Sequence, residues 1–377
     1  MTGPLNGIRI IEFAGIGPGP YCGMMLADHG ADVIRVDRIG GGLFPGVDPL
    51  ARSRKSIALD IKRPEAVAIA RELVAGADGL IEGYRPGVME KLGLGPEILL
   101  KDNPRLVYGR MTGWGQTGPL ASAAGHDINY IAISGALSTC GRANDKPTPP
   151  VNYLGDFGGG GMMLAFGMVA ALLAVRNGAP GQVIDCAMTD GSALLTAMTW
   201  GLYAAKTWND ERGVNMLDTG AHFYDTYETK DGKWISIGSI EPQFYAELRK
   251  RTGLDADPDF DAQHDRAAWP RLKSKLTELF KMKTREEWRS LLEGGDACFA
   301  PVMSLAEAPG HPHNAARATF IEVGGALQPA PAPRYSVTKT ASPTPPPKAG
   351  ADTEKVLSLI GRDAAAVADL RARGVVG

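Results

Sequence analysis

The sequence predicts an α/β protein with a large domain built on a Rossmann-like parallel sheet and a smaller α+β domain. Short β-type runs alternate with helical segments over the first hundred residues, whereas a hairpin signal appears only after residue 222. The length of 377 residues also exceeds what a single core usually holds, which favours two domains.

The first part of the chain shows the alternation most clearly. The predicted strands span residues 8–13, 31–37, 56–61, 79–84 and 106–111, and the helices between them span residues 21–29 and 64–75. A strand, a helix and a second strand in this order form a βαβ unit, in which the two strands are parallel. Repetition of the unit predicts a parallel sheet with helices on both faces.

The second part of the chain has a different pattern. Runs 223–229 and 233–238 flank Lys230-Asp231-Gly232, which predicts a β-hairpin. Glu241-Pro242 then opens a helix through Leu248, and further helices are expected around 269–280 and 284–292. We therefore expect the N-terminal part of the large domain at 1–200, a linker at 201–221, the small domain at 222–320, a proline-rich return linker at 321–350, and C-terminal helices of the large domain at 351–377.

Composition narrows the class of protein without identifying it. A hydrophobic content of 44% is a globular value, and a net charge of −2 gives no reason to expect a nucleic acid partner. The four cysteines are scattered without zinc-like spacing, so we expect no metal site and a cytoplasmic protein with reduced thiols. The longest apolar stretch, 162–175, is shorter than a transmembrane helix, so we expect no membrane insertion.

Two titratable residues, His126 and Asp156, each lie in a glycine-edged motif within a mostly apolar context. We expect both to be poorly solvated, an environment that shifts pKa values toward acid–base use. Gly158 to Gly161 lead into an apolar helix, which predicts that Asp156 lies at a helix N-terminus, where an anion is stabilised. Taken alone, the motif also fits an ordinary aspartate N-cap followed by a flexible turn.

The loop Gly15-Ile16-Gly17-Pro18-Gly19, with Asp37 about 20 residues on, looks like a dinucleotide-binding fingerprint. Pro18 and Pro20, however, lack the backbone N–H groups that such a turn offers to a pyrophosphate. We therefore expect no nicotinamide or flavin cofactor.

Six co-linear motifs cover nearly all of the chain and together resemble the family III CoA-transferase superfamily. They are Leu5-Asn6-Gly7-Ile8-Arg9, Ala31 to Asp37, Glu82 to Gly87, Gly113 to Pro119, Gly125 to Tyr130 and Gly155-Asp156. Within this superfamily, His126 together with Ile240 to Tyr245 is similar to the α-methylacyl-CoA racemase branch.

The resemblance implies an interlocked homodimer that exchanges the proton on the carbon next to a CoA thioester. The reaction would interconvert (R)- and (S)-2-methylacyl-CoA through an enolate, with His126 on one face and Asp156 on the other. Glu241 would orient His126, or balance its charge, across the dimer interface. The acyl-CoA thioester is then the substrate, and no separate cofactor is expected.

A CoA ester carries a pyrophosphate and a 3′-phosphate, which cationic side chains bind well. Between residues 35 and 63 there are seven basic residues against three acids, in a chain that is slightly acidic overall. The resemblance implies CoA contacts from Arg38, Lys62, Tyr84, Arg85 and Lys91, with Arg52 and Arg54 as further candidates. Any one of these charges could instead be an ordinary solvated surface residue.

Two other functions stay open at this point. In a CoA transferase of the same superfamily, the aspartate at position 156 would be a nucleophile that forms a covalent adduct. A non-catalytic CoA-binding protein would bind the ligand without exchanging its α-proton. The presence of both His126 and Glu241 favours the racemase.

Overall fold

The structure is a computed structural model, and it describes residues 3–41 and 48–377. The chain divides into two compact units. The first comprises Met1–Ala136, Pro150–Thr196 and Ala318–Gly377, and the second comprises Leu137–Pro149 and Ala197–Arg317. The domain boundaries expected from the sequence stay a prediction, and they did not foresee that Leu137–Pro149 groups with the second unit.

The first unit is built on a six-stranded sheet in the order β3-β2-β1-β4-β5-β6. Its strands are β1 (Arg9–Phe13), β2 (Asp32–Asp37), β3 (Lys55–Ala58), β4 (Gly79–Glu82), β5 (Val107–Thr112) and β6 (Gln182–Ala187). All neighbouring pairs are parallel, and this order is that of a Rossmann-like fold. The predicted parallel sheet is confirmed, and β6 is a strand that the sequence did not predict.

The α-helices are given in chain order. They are α1 (Pro18–Asp28), α2 (Pro64–Ala75), α3 (Val88–Lys91), α4 (Pro96–Asp102), α5 (Asp127–Ile133), α6 (Met163–Arg176), α7 (Met188–Leu195), α8 (Ala197–Ala204), α9 (Pro242–Thr252), α10 (Trp269–Phe280), α11 (Arg285–Leu292), α12 (Pro312–Ala316), α13 (Thr353–Ser358) and α14 (Ala364–Ala372). Single 3₁₀ turns occur at Pro49–Ala51, Leu137–Thr139, Pro258–Phe260 and Ala308–Gly310, and a π-helical segment spans Tyr153–Met162.

Hydrophobic side chains cover both faces of the six-stranded sheet. On one face, α2, α4, α13 and α14 pack against strand residues such as Ile11 and Leu80. On the other face, α1 and α6 pack against residues such as Ile10 and Val33. Burial on both sides explains why these strands are short continuous apolar runs rather than alternating ones.

The glycine run leading into α6 is helical, so the alternative interpretation of the motif as a flexible turn was wrong. A Cβ on Gly159 would lie 2.6 Å from the Ser192 backbone nitrogen, and one on Gly161 would lie 2.7 Å from the Pro18 carbonyl oxygen. The glycines therefore allow this π-helical segment to pack directly against the backbone of α1 and α7.

The π-helical segment and α6 form one helix, Tyr153–Arg176, of 24 residues, whose most apolar window of 18 residues has a mean hydropathy of 1.9. By length and composition this helix could span a membrane, so the expectation that its apolar stretch is too short for a transmembrane helix was wrong. Half of its most apolar window is buried inside the chain, as in a core helix, which meets the same criteria. This feature is therefore weak evidence for a membrane span.

The second unit contains an antiparallel sheet of β7 (Tyr224–Glu228), β8 (Trp234–Gly238) and β9 (Phe299–Pro301). The first two strands form the predicted hairpin. A further hairpin, β10 (Phe320–Val323) with β11 (Ala326–Pro329), belongs to the first unit.

His222 is fully buried in the aromatic core of the second unit. Its Nε2 lies 2.7 Å from the Tyr245 hydroxyl, and its ring packs edge-on against Phe223 and Phe260. Burial lowers the pKa of His222 from 6.5 to about 3, and the charges of Lys273 and His264 act in the same direction.

The low pKa of His222 predicts a stability that depends on pH. The unfolded chain takes up a proton below about pH 6.5 that the folded chain refuses until about pH 3. The free energy of unfolding of this unit should therefore fall as the pH drops through that window, by at most about 1.4 kcal/mol per pH unit. Urea denaturation at a series of pH values measures the slope. His222→Gln should flatten it, whereas His313→Gln at an exposed position should not, and equal slopes in all three proteins would contradict the prediction.

Candidate active site

A cavity of about 700 Å³ lies in the first unit, at the carboxyl ends of β1, β4 and β5. Its walls include the loops that follow these strands, at 14–20, 83–86 and 113–114. The order of the strands reverses between β1 and β4, and ligands of open α/β sheets bind at such a switch point. Both His126 and Asp156 line this cavity.

His126 immediately precedes α5 and has an extended backbone, with φ −134° and ψ 174°. Its backbone N–H donates a hydrogen bond of 3.0 Å to Asn129 Oδ1. The residue is exposed in the single chain, so the expectation that it is poorly solvated was wrong for the single chain.

Asp156 lies in the first turn of the π-helical segment, as the sequence predicted, and is half-buried. Burial raises the pKa of its carboxyl group, and the negative charge of Asp127 acts in the same direction. A hydrogen bond of 3.0 Å donated by Asn152 Nδ2, together with the charge of His126, lowers that pKa. The expectation of poor solvation therefore holds for Asp156.

Asp127 connects the two motifs, a role that the sequence did not reveal. Its Oδ2 accepts hydrogen bonds from the backbone N–H groups of Gly155 at 2.6 Å and Asp156 at 2.7 Å. A Cβ on Gly155 would lie 2.5 Å from this oxygen, so only glycine allows the approach. Asp127 thus joins the beginning of α5, next to His126, to the helix turn that carries Asp156.

The loop that looks like a dinucleotide fingerprint also contacts Asp156. Gly17 has a φ of +67°, and a Cβ at this position would lie 3.3 Å from Asp156 Oδ2. Glycine therefore both permits this backbone conformation and leaves space beside the carboxylate.

Three of the expected CoA contacts, Arg38, Tyr84 and Arg85, line the same cavity as His126 and Asp156. Tyr84 is half-buried and packs edge-on against Phe13, with ring centroids 6.5 Å apart. Burial raises the pKa of Tyr84, while the charge of Arg38 opposes the rise. Lys62 and Lys91 are exposed and lie outside the cavity lining.

Arg52 and Arg54 have their guanidinium groups bonded inside the first unit. Arg52, 2% exposed, donates to both carboxylate oxygens of Asp28, at 3.0 and 2.5 Å, and to Gln328 and Pro329. Arg54, 6% exposed, donates to Glu12 at 3.0 Å and to the backbone carbonyls of Arg52 and Pro20. The basic excess near residue 50 therefore includes buried ion pairs, and these two arginines have a structural role.

Glu241 belongs to the second unit and is not among the residues that line the cavity. It is exposed, it precedes Pro242 at the start of α9, and its carbonyl oxygen accepts from the N–H groups of Phe244 and Tyr245. Its charge contributes to a raised pKa of Cys298, after the larger effect of burial on that thiol.

The fold and the cavity define an α/β protein that holds a histidine and an aspartate together at the switch point of a parallel sheet. The chain belongs to CoA-transferase family III, whose family model matches residues 5–353.

Two relatives and one solved structure place the chain within this family. It is 47% identical to α-methylacyl-CoA racemase from Mus musculus over 95% of this chain and 93% of that protein. It is 46% identical to α-methylacyl-CoA racemase from Homo sapiens over 84% of this chain and 82% of that protein. A CaiB/BaiF family protein from Brucella suis aligns with a TM-score of 0.83 and 26% identity, covering 96% of this chain and all of that one (100%).

Arg54→Met should destabilise the protein, because it leaves the buried carboxylate of Glu12 without its cation. Removing one partner of a buried ion pair typically costs about 3 to 5 kcal/mol. Arg63→Met is the matched control: its pair with Asp60 has side chains 50% and 37% exposed, and such pairs contribute about 0 to 1 kcal/mol. Urea denaturation compares the two variants. Unchanged stability of Arg54→Met with weakened CoA binding would instead make Arg54 a ligand contact.

Proposed function

We propose that this chain is a racemase that interconverts (R)- and (S)-2-methylacyl-CoA thioesters. One observation carries the proposal: His126 and Asp156 line a single cavity in a chain 47% identical to a protein named α-methylacyl-CoA racemase. Inversion at one carbon requires a base on one side of a planar intermediate and an acid on the other. A histidine and an aspartate in one cavity supply the two proton-transfer groups that this reaction needs.

In the proposed mechanism, one of the two groups removes the α-proton and the other returns a proton to the opposite face of the enolate. Each group is the base in one direction and the acid in the other. The raised pKa of Asp156 supports this exchange of roles, because a carboxyl group closer to the working pH transfers protons better in both directions. The positive end of the helix that carries Asp156 favours the negative charge of the enolate. We expect the reaction to need no separate cofactor, because CoA is part of the substrate.

The CoA phosphates would bind beside this cavity. Arg38 and Arg85 are the best-supported contacts, because both line the cavity and are exposed. Lys62 and Lys91 would extend the positive surface beyond the lining, and Tyr84 would pack against the ligand. Arg52 and Arg54 would not belong to this set, since their guanidinium groups form hydrogen bonds with Asp28 and Glu12.

We further propose that the functional protein is a homodimer. An exposed apolar stripe on one face of the Tyr153–Arg176 helix supports it, formed by Met162, Phe166, Val169 and Leu173. The opposite face is buried in the core of the first unit, which favours a second copy of this chain over a bilayer as the cover for the stripe. Glu241 from that second copy would then orient His126.

Deuterium exchange tests the proposed mechanism. In deuterated water, the wild-type protein should exchange the α-proton of both enantiomers of a 2-methylacyl-CoA. His126→Ala and Asp156→Asn should each lower racemisation about 10²- to 10⁴-fold, the usual effect of losing a general acid or base. Each variant should retain exchange in a different enantiomer, which NMR follows as loss of the α-proton signal.

His313→Ala serves as the control, since it removes an exposed histidine outside the cavity. Absence of exchange in the wild type, with mass spectrometry showing CoA attached to Asp156 after addition of a carboxylic acid acceptor, would favour the transferase. Ligand binding with neither result would favour a non-catalytic CoA-binding protein.

The proposed dimer predicts a change of mass after a charge is placed in the stripe. Phe166 is 73% exposed, so Phe166→Asp should not disturb the core but should disfavour apolar association. Sedimentation velocity should show a dimer for the wild type and a monomer for this variant. Leu305→Asp, outside the stripe at a residue that is 91% exposed, should stay dimeric. A wild-type monomer that floats with phospholipid vesicles would overturn the proposal.

A further inference from the structure

We infer that Asn129 and Tyr130 are positioning residues for His126, because their side chains hold the peptide bond that precedes it. This peptide group consists of the Gly125 carbonyl and the His126 N–H. The N–H donates to Asn129 Oδ1 at 3.0 Å, and the Tyr130 hydroxyl donates to the Gly125 carbonyl oxygen. Two consecutive residues of α5 thus bond both polar groups of one peptide unit.

The bonds matter because glycine alone would leave this peptide free to rotate. Gly125 lacks a Cβ, and the backbone of a glycine has access to more of φ/ψ space than that of any other residue type. Rotation of the peptide would also redirect the Cα–Cβ bond of His126 and therefore the imidazole. Since both bonds must break for the peptide to turn, they restrict the direction in which the imidazole enters the cavity.

The tyrosine that holds the carbonyl is itself fixed by its surroundings. Tyr130 is 7% exposed, and its ring packs edge-on against Trp114 with centroids 4.7 Å apart and an interplanar angle of 85°. A Cβ on Gly113 would lie 2.1 Å from the ring, and one on Gly125 would lie 2.7 Å from it. The two glycines therefore provide the space that the ring occupies.

The hydroxyl of Tyr130 also stays a donor under ordinary conditions. Burial raises the pKa of Tyr130, and the charge of Asp156 adds to this effect, while Arg85 opposes it. A protonated phenol donates to the carbonyl, whereas a phenolate would repel it.

The inference rests on the proposed racemase function, so its experiment uses one readout that depends on catalysis and one that does not. Tyr130→Phe removes the hydroxyl and keeps the ring. Asn129→Leu removes the acceptor of the His126 N–H, and Asn129→Asp restores an acceptor oxygen. Tyr108→Phe is the matched control, because this buried tyrosine also donates to a backbone carbonyl, that of Leu94 at 3.0 Å, outside the cavity lining.

The readout from catalysis is α-proton exchange, measured separately for each enantiomer. The enantiomer that no longer exchanges in His126→Ala is the one that depends on His126. Tyr130→Phe and Asn129→Leu should slow its exchange about 10- to 100-fold, since a displacement of about 1 Å has effects of this size. Exchange of the other enantiomer and the KM for the substrate should change less than about 2-fold, since the hydrogen bonds of Asp156 with Asn152 and Asp127 are untouched. Asn129→Asp should recover most of the lost rate.

The second readout is amide hydrogen exchange at His126, followed by NMR or mass spectrometry without substrate. Protection of this amide should fall in Asn129→Leu and Tyr130→Phe and stay at the wild-type level in Tyr108→Phe. The positioning role would be overturned if α-proton exchange slowed equally for both enantiomers. It would also be overturned if the His126 amide lost its protection and α-proton exchange did not slow. Unchanged amide protection in both variants would overturn the contact itself. If the wild type exchanges neither enantiomer, the racemase proposal fails, and loss of protection then still supports the hold on the His126 backbone.

Discussion

The carboxylate of Asp127 is the interaction on which the rest of the site depends. One of its oxygens accepts hydrogen bonds from two backbone N–H groups, which lie 28 and 29 residues further along the chain. A hydrogen bond to a charged group contributes about 1.5 to 3 kcal/mol, and a buried N–H left without an acceptor carries a penalty of similar size. Because Asp127 directly follows His126, the same residue fixes the distance between the two elements that carry the proposed acid and base.

Glycine makes this arrangement possible at several places by permitting contacts that a Cβ would block. Gly155 lies against Asp127, Gly17 lies beside Asp156, and Gly159 packs against the backbone of α7. A glycine in a helix interior is destabilising by about 1 kcal/mol relative to alanine. Its presence at successive positions of the π-helical segment indicates that close packing outweighs this penalty. Such segments are rare and are often associated with functional sites.

The sequence predicted those features that depend on local patterns. The helix at Pro64–Ala75 and the hairpin of β7 and β8 follow from proline, glycine and apolar spacing, and the structure has them where they were expected. β6 was not predicted, because half of its residues are exposed in the chain and Gln182–Ala187 lack the apolar run of the central strands.

Long-range contacts were beyond the reach of the sequence. Arg54 and Arg38 look alike as members of a basic excess, yet one is bonded to Glu12 inside the core and the other is exposed at the cavity. What distinguishes them is a partner 42 residues away, which no local pattern reveals. For the same reason the hydrogen bonds from the backbone of Gly155 and Asp156 to Asp127, which lies 28 and 29 residues earlier in the chain, have no signature of their own. The resemblance to a family identified His126 and Asp156, but not the neighbours that hold them.

The two proposed proton-transfer groups have different environments in the single chain, and this difference constrains how the site functions. Asp156 is half-buried and its pKa is raised, whereas His126 is exposed. Water competes for the proton of an exposed imidazole and would protonate an enolate from either side. We therefore expect His126 to become covered when the site is complete, by the thioester and by a second copy of the chain. The carboxylate of Glu241 from the second copy, a residue that is exposed in the single chain, would then stabilise the imidazolium formed when His126 takes the α-proton.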